Sequence, residues 1–280
     1  MREAVGALAT ADPGLRRFGA SHHRYALAPP LTLAKLTQLE ARLGLSSATL
    51  PDDLRLPDHL RLPDDLRGFV TEVGSGGAGP GYGIVPLDRA AVSAVAAPSG
   101  APWTRALPLA HLGCGYAAIA VLDGGARGEI WIDARAIGLT APMHPTFTAF
   151  YLDWIDRLAH ARWPEAHVPP GACALAAALS GYLAHCEAER GLAAGTLAGD
   201  ALREALARLG PGAIEIAAES SVAWFDTDDR VDPCIACARL LDNLAADGLC
   251  RDVVAPGLPP RPLRDRATVH HGRGTPARVE

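Results

Sequence analysis

Residues 116–122 read YAAIAVL and residues 128–133 read GEIWID, with Asp123, Gly124 and Gly125 between them. Two short runs rich in apolar, β-branched and aromatic residues, separated by turn residues, predict a β-hairpin. Just beyond it, Thr146 is placed to cap a helix. Phe147, Phe150, Tyr151, Trp154 and Leu158 then follow at i, i+3, i+4, i+7 and i+11, an aromatic stripe on one helical face that has to be buried. On the other side of the hairpin, Thr32 is a second candidate N-cap. Leu33, Leu36, Leu39 and Leu43 recur behind it at helical spacing, and Gly44 stands where a glycine ends a helix.

Between these lies an internal repeat. Leu50–Arg55 reads LPDDLR, Leu56–Arg61 reads LPDHLR and Leu62–Arg67 reads LPDDLR again. A proline every sixth residue removes a backbone donor and drives the preceding residue out of the α region, so the stretch cannot be one regular helix. Only the third copy leads into a good helix, with Pro63 near its start, Leu66, Phe69, Val70 and Val73 on one face and Gly74 at its end. The first two copies, about residues 50–61, read as a looped-out insertion. Residues 74–83 then read GSGGAGPGYG. This run lacks the Gly-Lys-Ser/Thr ending of a phosphate loop and follows a helix rather than a strand, so it reads as a structural loop whose glycines supply positive φ.

Trp163, Pro164, Pro169 and Pro170 mark a candidate boundary, giving domains at 1–165 and 166–254. Beyond it, Leu175, Leu179 and Leu183 line one helix, and Leu202, Leu206 and Leu209 line another that ends at Gly210. Residues 213–225 look partly strand-like, with Ile214, Ile216, Val222, Trp224 and Phe225 as apolar anchors. Asp232 and Pro233 open a further helix carrying Leu240, Leu241 and Leu244. The stretch 255–280 is rich in Pro, Arg and Gly and is expected to be disordered.

Composition bounds the function. The 280 residues are 49% hydrophobic and 20% charged, in the ordinary globular range. Six cysteines are too sparse for a disulfide scaffold, and the first residues lack an export signal, so a cytoplasmic protein with reduced thiols is expected. No window approaches the run of about 20 apolar residues that a membrane crossing needs. Lys35 is the sole lysine, so the arginines reflect coding bias more than a designed surface. Residues 1–165 hold 16 acidic and 15 basic side chains, whereas residues 166–254 hold 13 and 6. An acidic second half disfavours nucleic acid, whose phosphates draw on clustered Lys and Arg, and suits a basic protein partner.

Few residues invite chemistry. Cys234 and Cys237 form a CxxC, but a zinc site needs a second pair at short spacing, and Cys173, Cys186 and Cys250 stand singly. In a helix begun at Pro233 the two thiols share a face with Leu241 and Leu244 and read as small core residues. Asp226, Asp228 and Asp229 resemble a cation loop, yet the Gly and distal Glu of a calcium loop do not follow. His22 with His23, and His270 with His271, are neighbours that point apart on an extended chain and so cannot easily share a ligand. No serine sits in a nucleophile elbow, and Glu215 and Glu219 could pair only if helical. No catalytic residue, structural metal or cofactor is therefore expected. Tyr82, Asp226, Asp228 and Asp229 are the candidate partner-binding residues.

Several strings taken together carry a family resemblance. DPGLRRFGASHHRYALAPPL at 12–31, LPDDLRGFVTEVG at 62–74, GGAGPGYGIVPL at 76–87, LPLAHLGCGYAAIAV at 107–121, then GEIWID and TFTAFYLDWID, resemble in order and spacing the bacterial branch of the SUKH (Smi/Knr-like) superfamily over about residues 12–160. The resemblance implies an α+β fold: N-terminal helices, a small antiparallel sheet carrying the Gly-rich and GCGY segments, and a closing helix with the aromatic stripe, here followed by a mainly helical extension. It also implies a non-enzymatic protein-binding role, since bacterial members look like immunity proteins that neutralise toxins. A housekeeping scaffold of the same family, or an enzyme with its site in residues 166–254, are the competing readings. Two departures stand out: the hexad is present in three copies, and the region after 165 has no counterpart in the module.

Overall fold

Antiparallel strands in simple sequence order build the sheet predicted from the hairpin, in a computed structural model that describes residues 1–45, 61–89, 92, 94–160, 162, 174–208, 230–231, 235, 237 and 269–270. The chain divides into two compact units, Met1–Leu112 with Tyr116–His167, and Gly113–Gly115 with Val168–Glu280. The sheet falls in the first unit save for Gly113 at the end of β2, and its strands are β1 (Val95–Ala96), β2 (Arg105–Gly113), β3 (Tyr116–Val121), β4 (Ile130–Ala134) and β5 (Leu139–His144), in the spatial order β1-β2-β3-β4-β5. With the helices around it this is an α+β fold.

β3 and β4 are the predicted hairpin, paired from Ala117 with Asp133 to Ala120 with Ile130. Every residue of β3 is buried, as the central position of the strand and its small alanines require. The turn is longer than Asp123–Gly125. Asp123 also holds the start of β2: its carboxylate accepts the Thr104 N–H at 2.7 Å, the Thr104 hydroxyl at 2.5 Å and Arg105 Nε at 3.1 Å. β2 is absent from the residue-level expectation. It joins β3 through Cys114 and Gly115, whose φ values of 53° and 76° mark the primed two-residue turn that suits strand twist. Pro142 is tolerated in β5 because that strand lies at the sheet edge.

The helices of this unit are α1 (Arg2–Ala11), α2 (Ala20–His23), α3 (Leu33–Arg42), α4 (Asp64–Gly68), continued as a π turn over Phe69–Val73, and α5 (Phe147–Ala159). α1, which the sequence reading did not anticipate, precedes the Thr32 helix and buries Val5 and Leu8. Thr32 and Thr146 do cap their helices, accepting the N–H groups of Lys35 at 3.3 Å and Ala149 at 3.1 Å. Leu36, Leu39 and Leu43 are buried, but Leu33 is 70% exposed. It occupies the first helical position, beside the cap, and drops out of the apolar face. The aromatic stripe is buried at all five positions. Phe69 meets both Phe147 and Tyr151 at ring-centroid distances of 4.8 Å, and the Tyr151 hydroxyl donates to Ala78 O at 2.8 Å. Burial pushes that phenol's pKa well above its ordinary value.

The third hexad copy is core. Leu62 and Leu66 are fully buried, and the Asp65 carboxylate accepts the Thr148 N–H at 2.8 Å in the first turn of α5. Buried Glu40 accepts the Leu62 N–H at 3.1 Å, with Arg67 Nε 3.8 Å away. The first two copies lie outside the described residues, Arg61 excepted.

In the second unit, α6 (Ala174–Glu189) and α7 (Gly199–Ala207) pack around Cys186, Leu197 and Ala205, with Leu183 and Leu202 against them. Glu187 accepts the N–H groups of Gly195 at 2.9 Å and Leu197 at 2.8 Å, fixing the turn before α7. The described part of the stretch 213–225 and of the helix expected from Pro233 is limited to Ile235 and Cys237, both buried. Val269–His270, within the tail expected to be disordered, pairs with Arg230–Val231. No helix among the described residues is long and apolar enough to cross a membrane.

Candidate functional site

Tyr82 is the one partner-binding candidate that falls among the described residues; Asp226, Asp228 and Asp229 lie outside them, as do Cys234, Glu215 and Glu219. Its place is set by backbone crowding in the Gly-rich run. Tyr82 N–H donates to His111 O at 2.8 Å, drawing the run alongside β2. A Cβ on Gly81, whose φ is 64°, would lie 2.2 Å from His111 O, and one on Gly19 would lie 1.8 Å from Gly81 O. At these two positions glycine is required because main chains touch.

The Tyr82 ring is half-buried and sits among three others. Its centroid lies 5.1 Å from Phe18, 4.6 Å from His22 in an edge arrangement and 5.4 Å from His111. Phe18 is buried beneath, His22 is exposed and His111 is half-buried. Sequence reasoning had no access to Phe18 or His111, because they join Tyr82 through a backbone register between segments far apart in the chain.

Asp12 organises the segment that delivers Phe18 and His22. Burial alone would raise its carboxyl pKa, but the N–H groups of Arg16 at 2.8 Å and Arg17 at 3.0 Å, the Tyr25 hydroxyl at 2.9 Å and the Arg17 charge outweigh it, and the pKa falls below its ordinary value. His22 and His23 do point apart, though from a short helix rather than an extended strand. His23 is buried against Trp154, centroids 5.7 Å apart, and its Nδ1 accepts the Tyr25 N–H at 3.0 Å. Burial first, then the neighbouring His22, lowers the His23 pKa to about 4. That imidazole is a neutral core group at pH 7.

The surface around Tyr82 combines an aromatic face, a phenol and imidazole edges. Among the described residues no group of three or more His, Cys, Asp or Glu side chains is placed to hold a metal ion. Comparison of the chain with protein-family models, with curated proteins and with solved structures gives no match.

Proposed function

We propose that this chain is a non-enzymatic protein-binding module of the SUKH type, an immunity-type protein that binds and neutralises a basic toxin domain, with the Tyr82 cluster as part of its contact surface. The observation that supports this most directly is the cluster itself. A half-buried tyrosine packed against Phe18, His22 and His111 keeps few of its rotamers, so it loses little conformational entropy when a partner covers it. Tyrosines of this kind are over-represented among interface residues that dominate affinity. The acidic balance of residues 166–254 favours a basic partner by long-range attraction.

The test is co-purification from the native host, followed by titration of the recovered partner against the wild type and Tyr82→Ala. The reading expects a basic toxin-like partner encoded beside this chain. It also expects an affinity at least about tenfold weaker for Tyr82→Ala, with an unchanged thermal midpoint. Failure to retain any partner, or a partner indifferent to Tyr82, overturns it. A non-toxic partner encoded elsewhere in the genome would favour the scaffold reading instead.

A further inference from the structure

One pair of nucleophilic side chains plays no part in the reading above. Within the unit that comprises Gly113–Gly115 and Val168–Glu280, the Sγ atoms of Cys114 and Cys237 lie 3.8 Å apart, although 123 positions separate them in sequence. Both are thiols, Cys114 half-exposed and Cys237 only 2% exposed. Cys114 occupies the turn with φ 53°, between Gly113 at 86° and Gly115 at 76°. The turn holds the Cys114 side chain at the tip of the β2–β3 pair, where it reaches Cys237.

We propose that Cys114 and Cys237 form a reversible disulfide, with Cys114 as the accessible attacking thiol and Cys237 as the resolving thiol. The oxidant is a low-molecular-weight disulfide of the glutathione class. Cys114 gives its proton to solvent, and its thiolate attacks one sulfur of the small disulfide. That S–S bond breaks, one small thiolate leaves and takes up a proton, and a mixed disulfide remains on Cys114. Deprotonated Cys237 then attacks the Cys114 sulfur, the protein disulfide forms and the second small thiol departs. The two protein thiols lose two electrons and two protons, and the oxidant gains both.

The sulfurs must close from 3.8 Å to a bonded separation of about 2.05 Å. In a reducing compartment such a bond is transient and reports the thiol–disulfide balance. The competing partner for Cys237 is Cys234 of the same CxxC, and the experiment separates the two.

The full-length protein is incubated with excess oxidised glutathione and mapped by mass spectrometry without reduction. The expected product is lighter by two hydrogens, joins the peptides that hold Cys114 and Cys237, and reverts on addition of dithiothreitol. In Cys237→Ser the glutathione is retained on Cys114, and in Cys114→Ser no joined peptide forms. Cys237 joined to Cys234, a stable glutathione adduct on Cys114 of the wild type, or a wild type left unmodified would each overturn the proposal. The wild-type map decides the question even if a serine variant fails to fold.

Discussion

Removal of Leu50–Arg61, which joins Thr49 to Leu62 and leaves a single hexad, is expected to preserve the fold and to raise stability slightly. The reason lies at the two ends of the segment. Leu45 N–H donates to the backbone oxygen of Glu40 at 2.8 Å, and Leu62 N–H donates to the Glu40 carboxylate at 3.1 Å. Exit and re-entry are therefore held by one residue, and bond lengths limit the separation of the two nitrogens to about 12 Å. Ser46–Thr49 remain to bridge it, and the five steps from Leu45 to Leu62 reach roughly 17 Å when extended. Leu62, Leu66 and Asp65, the parts of the repeat that pack or cap, are untouched. Arg127 Nη2 donates to Arg61 O at 3.0 Å, a bond that the Thr49 carbonyl can take over at the same chain position.

The connection shortens from sixteen residues to four, two halvings. Each lowers the entropic cost of closure by about 0.6 kcal/mol, for a gain of about 1 kcal/mol. For a chain of this size that corresponds to a rise of roughly 2–4 °C in the thermal midpoint. The assay is thermal melting followed by far-UV circular dichroism. Loss of the cooperative transition would refute the reasoning, since it would mean that Leu50, Leu54, Leu56 or Leu60 contributes to the core. A preserved transition with lost partner binding would instead assign the acidic, leucine-studded copies to recognition.

Two further outcomes bear on the core. The His23 pKa is depressed from 6.5 to about 4 in the folded chain, so the charged form is disfavoured by folding. Its stabilising effect is complete above pH 6.5 and is lost as pH falls toward 4, a loss of about 3 kcal/mol. Denaturant titrations at pH 7, 5.5 and 4 should show this slope, flattened in His23→Gln, whose amide oxygen can still accept the Tyr25 N–H; parallel slopes would show that His23 is not the titrating group. The lowered carboxyl of Asp12 acts in the same direction but below its ordinary pKa of 3.8, outside that window. Trp154→Ala, at a site 2% exposed and packed on His23 and Tyr151, should cost about 3–5 kcal/mol, and an unchanged melting midpoint would place the stripe at the surface instead.

The sequence by itself determined the elements whose signals are local. The Thr32 and Thr146 caps, the stripe from Phe147 to Leu158, the β3–β4 pair and the helix after Pro63 each follow from spacing, a capping hydroxyl or turn residues within a few positions, because helical and extended backbones repeat at fixed periods. What only the tertiary structure decided depends on registers between distant segments. No local pattern places Phe18 and His111 around Tyr82, assigns the Gly-rich run to main-chain crowding against Gly19, or brings Cys114 to Cys237. The same holds for Glu40, which reads as a surface carboxylate in its helix until Leu62 returns to it. Local periodicity sets which face an element buries, whereas the partner that meets that face is fixed by the packing of the whole unit.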